Sequence, residues 1–356
     1  MNRLWLIVGG LLLACLLAAA PAGAKPRPAP KSFYGVVSQA GSFSTSDVSR
    51  LSRGGVGTVR FLLAWRGVER APGNYRWGPL DAKIDAIRKA GATPLPVLFG
   101  LPPWFGNSRT PPIRTDQMKF AWQRFLDRVV TRYGPGGTMA ALDPDYEPIT
   151  AWQLWNEPNL PSFWGESAPE PRDYVTLVRL SALAIHDVDP EAELIAAGLS
   201  PAPNGMPPVD YMDAVYDYYD ELGIDPDFDH ISLNPYARSV KDSKRQVRRF
   251  SRAARRATGS RPRLLIAEIG WGSGGPKRHP ATTTKKRQAK RVSRAFRMFE
   301  RKRRRWRISS VHWYAWRDLP PSADGCPFCA HVGLFDSDGR AKPAWKTFRR
   351  TTRRGR

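Results

Sequence analysis

The sequence alternates between short strand-like segments and longer helical stretches, and this alternation restricts the chain to few folds. Several of the strand-like segments are continuous apolar runs, which is typical of strands buried on both faces of a parallel sheet. The eight segments are Phe33–Gln39, Thr58–Trp65, Thr93–Phe99, Ile149–Trp155, Glu193–Leu199, His230–Asn234, Arg263–Glu268 and Ser309–Trp316. Strands that alternate with helices predict a parallel sheet covered by helices.

Helical periodicity fills the gaps between these segments. Leu80, Ile84 and Ile87 share one helical face, and Thr115 is placed to cap a further helix. No glycine-rich phosphate loop follows the first strand segment, which disfavours an open dinucleotide-binding sheet. Closed barrels of eight strands commonly run from about 200 to over 400 residues as one domain. We therefore predict an α/β fold, a single (β/α)8 TIM barrel, over residues 33–350.

The N-terminus has the pattern of an export signal. Arg3 is followed by an almost unbroken apolar run, Leu4–Ala20, and by a small-residue cleavage site at Ala24. We therefore predict a signal peptide over residues 1–24 and a secreted protein. Two alternatives stay open, which are a membrane anchor and lipidation at Cys15.

Two short segments flank the predicted barrel. Residues 25–32 contain prolines at alternate positions and are interpreted as an extended linker. Residues 351–356 are interpreted as a basic tail. Together with the signal peptide, these segments complete the predicted domain organisation.

Two cysteines remain once the predicted signal is removed. Cys326 and Cys329 frame a Cys-Pro-Phe-Cys sequence. In an exported protein this spacing favours a small structural disulfide over redox chemistry. Zinc binding would need two more ligands, and His331 alone lies close by in the sequence.

The formal net charge of +24 is concentrated in one part of the chain. Between Lys241 and Arg307, 25 Lys or Arg residues stand against three acids, a net charge of +22. Two helical apolar stripes run through this region, Val247, Phe250, Ala254 and Ala257 in one and Val292, Ala295, Phe296 and Phe299 in the other. The basic residues are therefore predicted to lie on the outward faces of two neighbouring helices.

This basic surface has two interpretations. It is either a solvated face or a weak contact for an anionic envelope polymer, since such a surface attracts polyanions. Specific nucleic-acid recognition is not indicated, because neither aromatic stacking groups nor a known binding module accompany the charge.

Two glutamates follow apolar strand segments at the positions where such barrels carry their chemistry, the C-terminal strand ends. The fourth segment continues into Asn156-Glu157-Pro158, and the seventh ends at Glu268. Two carboxyl groups in one cleft can divide their duties, because one stays protonated to donate to a leaving oxygen while the other stays ionised to attack an anomeric carbon. The alternative is that each glutamate pairs with a barrel arginine for structure alone.

These motifs resemble those of a known enzyme group. Trp155-Asn156-Glu157-Pro158 is similar to the acid/base signature of clan A glycoside hydrolases, which include the cellulase family and the β-xylosidase/iduronidase family. The segment from Ile266 to Trp271 resembles the nucleophile segment of that clan. The similarity extends from about Phe33 to Phe348. It implies a retaining mechanism in which Glu157 is the general acid/base and Glu268 is the nucleophile.

The resemblance also implies roles for substrate-binding residues. Asn156 would hold the sugar hydroxyl beside the reacting carbon, and Arg60 would keep the nucleophile ionised. Tyr236 would orient the nucleophile. Trp313 and Trp316 compete for the sugar-stacking position, and Trp316 is favoured because it lies at the strand end.

Each of these assignments has a structural alternative. Arg60 could form an internal ion pair, and Tyr236 could be a packed core tyrosine. The clan often carries His where Asn234 stands, so the details of this site depart from the family pattern.

The sequence therefore predicts a secreted O-glycosyl hydrolase that acts on a glycan by double displacement. Neither a metal nor an organic cofactor is required, because two carboxyl groups suffice for this chemistry. The alternative function is a non-catalytic barrel that binds a carbohydrate or an anionic polymer. The sugar, the linkage and the oligomeric state are left open.

Overall fold

The computed structural model describes residues 28–320, 326 and 328–354. The predicted signal peptide, Cys15 and the first residues of the predicted linker lie outside the described residues, as do the last two residues of the predicted tail. None of the helices in the described part of the chain combines the length and the apolarity needed to cross a bilayer.

Ten strands follow one another along the described chain. They are β1 (Tyr34–Val37), β2 (Thr58–Ala64), β3 (Glu69–Ala71), β4 (Asn74–Tyr75), β5 (Thr93–Phe99), β6 (Ala151–Asn156), β7 (Glu193–Leu199), β8 (His230–Leu233), β9 (Arg263–Ile269) and β10 (Ile308–Tyr314). The α-helices are α1 (Thr45–Gly54), α2 (Trp65–Val68), α3 (Gly78–Lys89), α4 (Asp116–Tyr133), α5 (Thr138–Leu142), α6 (Pro171–Val188), α7 (Pro208–Leu222), α8 (Val240–Thr258), α9 (Lys285–Trp306) and α10 (Pro343–Arg354).

Eight of these strands close into a barrel in the order β1-β10-β9-β8-β7-β6-β5-β2, while β3 and β4 form a separate hairpin. Each neighbouring pair in the barrel is parallel. All eight predicted strand segments become barrel strands, with ends that differ by a few residues. The predicted (β/α)8 barrel is confirmed.

The helices follow the periodicity and the caps expected from the sequence. Thr115 caps α4, since its side chain accepts a hydrogen bond from the Met118 amide. The two predicted apolar stripes lie on α8 and α9, and their members are buried except Ala257, which is exposed. The basic residues of α8 and α9 consequently face outward, as predicted.

The interior of the barrel is filled rather than open. Leu95, Ile195, Leu265 and Ala267 form a small apolar cluster of their own, separate from the main core between strands and helices. This cluster lies on β5, β7 and β9. Packed layers of side chains are expected inside such a barrel, so its chemistry is confined to one end.

The flanks of the barrel are more ordered than the sequence suggested. Ala29 in the predicted linker is buried, and Ser32 accepts a hydrogen bond from the Thr58 hydroxyl. Residues 351–354 of the predicted tail continue α10. Thr351 and Thr352 are buried, and the Thr352 hydroxyl donates to the Gly54 carbonyl. These contacts with α1 hold the helix end against the domain.

A disulfide joins Cys326 and Cys329, which confirms the pairing expected from the sequence. The half-buried Cys326 and the buried Cys329 belong to the segment that follows β10. This segment forms part of the wall of a pocket at the end of the barrel where the strands terminate.

Candidate active site

A pocket of about 520 Å³ opens where the barrel strands end. Asn156 and Glu157 stand at the end of β6, Glu268 lies near the end of β9, and Tyr314 is the last residue of β10. The connecting loops complete the wall with Leu160, Phe163, Ser200, Tyr236, His279 and Phe328, among others. The two glutamates predicted from separate strands therefore share one cavity.

Glu268 is held by two donors. Arg60 Nη1 donates to Glu268 Oε1 at 2.6 Å, and the Tyr236 hydroxyl donates to Glu268 Oε2 at 2.6 Å. Both side chains of this ion pair are almost wholly buried, with exposed fractions of 1% for Arg60 and 8% for Glu268. Charge-assisted hydrogen bonds of this kind stabilise the ionised form of a carboxyl group.

The guanidinium of Arg60 is fixed by two further acceptors. Its Nε donates to Gln153 Oε1 at 2.7 Å, and its Nη2 donates to Asn156 Oδ1 at 2.8 Å. Gln153 in turn donates to the Ser232 hydroxyl at 2.8 Å. Because every member of this network is buried and bonded, the arginine is held firmly beside Glu268.

Tyr236 remains a hydrogen-bond donor over the whole ordinary pH range. Burial raises the pKa of its hydroxyl well above the ordinary value, and the nearby charge of Glu268 raises it further. The hydroxyl therefore keeps its proton and directs it at the carboxylate.

Glu157 has a different environment from Glu268. Its Oε1 accepts a hydrogen bond from Asn234 Nδ2 at 2.6 Å, and in the part of the chain that the structure describes it forms no ion pair. Burial raises the pKa of Glu157 to about 8, and the charge of Glu268 contributes to this increase. Glu157 is therefore protonated at neutral pH while it shares a cavity with an arginine-paired carboxylate.

The backbone around Glu157 adopts an unusual conformation. Trp155 has a φ of 72° and Glu157 a φ of 44°, both in the left-handed region that residues with side chains rarely occupy. The Glu157 amide donates to the Gly198 carbonyl, and a side chain at Gly198 would collide with Asn234 at 2.5 Å. Backbone strain of this kind costs about 1–3 kcal/mol per residue and is concentrated at functional sites. Here it accompanies the turn that places Glu157 in the pocket.

A buried histidine adjoins this polar network without adding charge to it. His312 on β10 is wholly buried, and burial together with the charge of Arg60 lowers its pKa to about 3. It is therefore uncharged at neutral pH and adds no second positive charge beside Arg60.

Five of the six predicted site residues are brought together in this arrangement. Glu157, Glu268, Asn156 and Tyr236 line the pocket, and Arg60 lies directly beneath it in hydrogen-bond contact with two of them. The ion pair considered as an alternative for Arg60 is formed, and its partner is the predicted nucleophile itself.

The structure does not place Trp316 in the pocket. Its indole is buried, its Nε1 donates to Asp47 Oδ1 at 3.1 Å, and its ring packs against Phe335 and Trp345. The predicted sugar-stacking role of Trp316 is therefore corrected. The physical reason is that a buried indole N–H needs an acceptor, and the carboxylate of Asp47 on α1 provides one on the outer side of β10.

Trp313, the other candidate for that role, is also buried, with its Nε1 bonded to the Val332 carbonyl. Tyr314 lines the pocket instead, because β10 ends at this residue.

The sequence interpretation missed several residues of this site. Asn234, noted there as a departure from the family pattern, bonds Glu157 directly, and Gln153 holds Arg60. Gln153 is a polar residue within an otherwise apolar strand segment, so a signal for it was present. Phe328 and His279 stack with ring centroids 4.7 Å apart at the rim, and nothing in the sequence connects these two distant residues.

Among the residues that the structure describes, no group of three or more His, Cys, Asp or Glu side chains is arranged to hold a metal ion. The polar groups that converge on the pocket are instead the two carboxyl groups and their donors.

No family model matches the chain, and no curated protein matches it in sequence. Solved structures do match its fold. A monomeric β-xylosidase from Caulobacter crescentus superposes with a TM-score of 0.67 at 17% identity, covering 91% of this chain and 68% of that one. The GH39 enzyme from Xanthomonas axonopodis pv. citri gives 0.66 at 16% identity, with 91% and 67% covered.

A smaller enzyme matches over nearly its whole length. The intracellular xylanase from Thermoanaerobacterium saccharolyticum gives a TM-score of 0.62 at 14% identity, covering 92% of this chain and 99% of that one. At such identities the likeness concerns the fold, which is the barrel shared by these glycosidases.

Proposed function

We propose that this protein is a retaining glycoside hydrolase in which Glu157 is the general acid/base and Glu268 is the nucleophile. The observation that carries the proposal is the opposite electrostatic environment of two carboxyl groups in one pocket. Glu268 is bonded to Arg60 and Tyr236, whereas burial and the charge of Glu268 raise the pKa of Glu157 to about 8. One group is thus suited to attack and the other to donate a proton.

In the first step, the Glu268 carboxylate attacks the anomeric carbon of the bound sugar. The bond from that carbon to the glycosidic oxygen breaks, and the departing oxygen takes the proton of Glu157. The products are a glycosyl ester on Glu268, an ionised Glu157 and a released alcohol. Because Glu268 loses its charge in this step, the pKa of Glu157 falls, which favours the proton transfer.

In the second step, the ionised Glu157 takes a proton from a water molecule. The water oxygen attacks the anomeric carbon, and the ester bond to Glu268 breaks. This restores the carboxylate of Glu268 and the proton on Glu157, and the sugar leaves with its original anomeric configuration.

Three neighbouring residues position these groups. Arg60 and Tyr236 each donate to a different oxygen of Glu268, which fixes the plane of the carboxylate. Asn156 uses its Oδ1 to accept from Arg60, so its amide Nδ2 is turned to donate to a sugar hydroxyl. A hydrogen bond that strengthens in the transition state lowers the barrier rather than merely the Kd of the substrate.

The structural neighbours support a glycan substrate. They include a β-xylosidase, a xylanase and an exo-β-1,4-mannosidase, whose names refer to sugar linkages. The N-terminal signal pattern supports the further proposal that the enzyme is exported and meets its glycan outside the cell.

The proposal is tested by Glu157→Ala, assayed on a panel of aryl glycosides with and without azide. We expect kcat to fall by about 10²–10⁴-fold with poor leaving groups and much less with activated ones, since activated groups need no proton. Azide should restore turnover and yield a glycosyl azide of retained configuration, because a small anion can enter the space left by the carboxyl group.

Glu147→Ala is the matched control, because Glu147 is an exposed glutamate outside the pocket. Undiminished turnover by Glu157→Ala would remove the assignment. If wild-type protein binds the glycans without cleaving any glycoside, the non-catalytic alternative replaces it.

A further inference from the structure

A second cavity lies on the outer wall of the barrel, between α8 and α9. It has a volume of about 800 Å³, and eight of its eleven lining residues are Lys or Arg while none is Asp or Glu. The basic residues that are concentrated in this part of the sequence therefore do not lie only on a convex, solvated face. It lines a groove, which we call the basic groove.

The cations of the basic groove have no carboxylate partners in the described part of the chain. Among the described residues, none of the eight lies within 4 Å of a carboxylate, although the adjacent Asp242 is paired with Arg245 outside the groove. Uncompensated charges on facing helices repel one another and reduce the free energy of unfolding. An anionic ligand in the groove would remove this repulsion.

Arg291 provides a more specific indication. Its guanidinium lies over the ring of Trp271, with the carbon 5.4 Å from the centroid, and its buried Nη1 has no hydrogen-bond partner among the described residues. Buried nitrogen donors are almost always bonded, so an orphan of this kind points to a missing acceptor. Burial and the neighbouring Arg287 lower the pKa of Arg291, which an anion would reverse.

The arrangement of the cations is linear. Arg287, Lys290, Arg294, Arg297 and Arg301 recur at intervals of three or four residues along one face of α9. With a rise of about 1.5 Å per residue, this row is about 21 Å long. A row of that length matches a repeating polymer better than a single small anion.

One end of the basic groove adjoins the active-site pocket. The loop after β8 contributes Tyr236 and Ala237 to the pocket and Ser239 to the groove. Trp271, which underlies Arg291, donates through its Nε1 to the Ala237 carbonyl. The two cavities are therefore connected through one loop and one indole.

We infer that the basic groove binds a linear acidic polysaccharide through its carboxylate groups. The Arg forks match carboxylates in a bidentate geometry, and their spacing suits one acidic group at every sugar or two. Nucleic acid is disfavoured because no aromatic side chain lines the groove for base stacking. A bilayer is disfavoured because a flat surface does not enter a concave groove. The inference goes beyond the proposed hydrolase function and does not require it.

The test measures binding of the full-length protein to polygalacturonate, with dextran as the neutral polymer. Two variants of equal charge are compared, Lys290→Glu/Arg294→Glu/Arg297→Glu in the groove and Arg66→Glu/Arg70→Glu/Arg76→Glu on exposed positions elsewhere. We expect the Kd for polygalacturonate to rise at least about tenfold in the groove variant and less than about twofold in the other. Added salt should weaken the wild-type binding, because exposed charges are screened.

Several results would overturn the inference. These are equal losses in the two variants, no preference for polygalacturonate over dextran, or tighter binding of polyphosphate, duplex DNA or phosphatidylglycerol vesicles. A neutral variant, Lys290→Gln/Arg294→Gln/Arg297→Gln, guards against misfolding by charge reversal. A far-UV circular dichroism spectrum like that of the wild type and a Tm no lower than that of the wild type show that each groove variant is folded.

Discussion

The active-site pocket and the basic groove use arginine in opposite ways. Arg60 is buried, and three of its nitrogens donate to Gln153, Glu268 and Asn156. Arg294 and Arg297 of the groove are exposed and have no carboxylate within 4 Å among the described residues. The first arrangement fixes one geometry, and the second leaves its charges available to a ligand.

This difference has consequences for how each region responds to change. A buried pair that loses one partner leaves an uncompensated charge, which costs about 3–5 kcal/mol. An exposed cation contributes little by itself, typically about 0–1 kcal/mol, and its effect is screened by salt. Changes in the pocket should therefore act individually and strongly, whereas changes in the groove should act additively and depend on salt.

The largest effect is expected for Glu268→Gln. The amide oxygen can still accept from Arg60, and the amide NH2 can donate to the Tyr236 hydroxyl oxygen. The amide cannot form the glycosyl ester, so kcat should fall on the order of 10⁴-fold or more. Turnover of an aryl glycoside with a good leaving group is the measurement, with Glu147→Gln as the exposed control. If the groove variant lost as much activity on that small substrate, the contrast between the two regions would be wrong.

A smaller effect on kcat/KM is expected when the pH is raised. Glu157 must be protonated to donate, and its pKa is raised to about 8, so kcat/KM should fall by about tenfold per pH unit above that value. The pH profile of kcat/KM for a substrate with a poor leaving group measures this limb. The groove variant should retain this decrease of kcat/KM at high pH. An identical decrease in Glu157→Gln would contradict the assignment of Glu157 as the proton donor.

Glu157 also affects the free energy of unfolding, and the sign of this effect follows from its raised pKa. Its folded pKa lies above the ordinary value of 4.5, so the folded protein binds this proton more tightly than the unfolded chain does. The contribution of Glu157 to the free energy of unfolding therefore decreases as pH rises from about 4.5 to about 8. Glu157→Gln should remove this decrease, as measured by denaturant unfolding at several pH values.

The smallest loss of kcat from a single substitution in the pocket is expected for Tyr236→Phe. This substitution removes one hydrogen bond to the charged Glu268, which corresponds to about 1.5–3 kcal/mol, or about 10–150-fold. We expect the loss mainly in kcat, because the hydroxyl positions the nucleophile rather than the substrate. A change confined to KM, or a general loss of folding shown by Tm, would contradict this role.

The sequence predicted the eight barrel strands and both glutamates because their signals are local. A buried parallel strand is an apolar run, and Glu157 and Glu268 each follow such a run directly. The basic helices α8 and α9 were likewise predicted from local composition, whereas export stays a prediction. The disulfide was predictable because Cys326 and Cys329 are close in the sequence.

The position of Trp316 could not be predicted in this way. Whether an indole at a strand end faces the pocket or the outer helices depends on which acceptor is near its N–H. That acceptor is Asp47, 269 residues away in the chain. The role of Asn234 likewise depends on tertiary contacts. The absence of a side chain at Gly198 leaves room for the side-chain amide of Asn234 to reach Glu157.

By itself, the sequence determined that this chain forms a closed barrel and that two acidic side chains stand at the ends of its strands. Only the tertiary structure decided that these carboxyl groups lie in different environments, since burial raises the pKa of Glu157 while Glu268 is paired with Arg60. Protonation depends on burial and on the distance to other charges, and both are set by strands that are remote in sequence. Arg60 reaches Glu268 across 208 positions, and Glu157 has no such ion pair among the described residues.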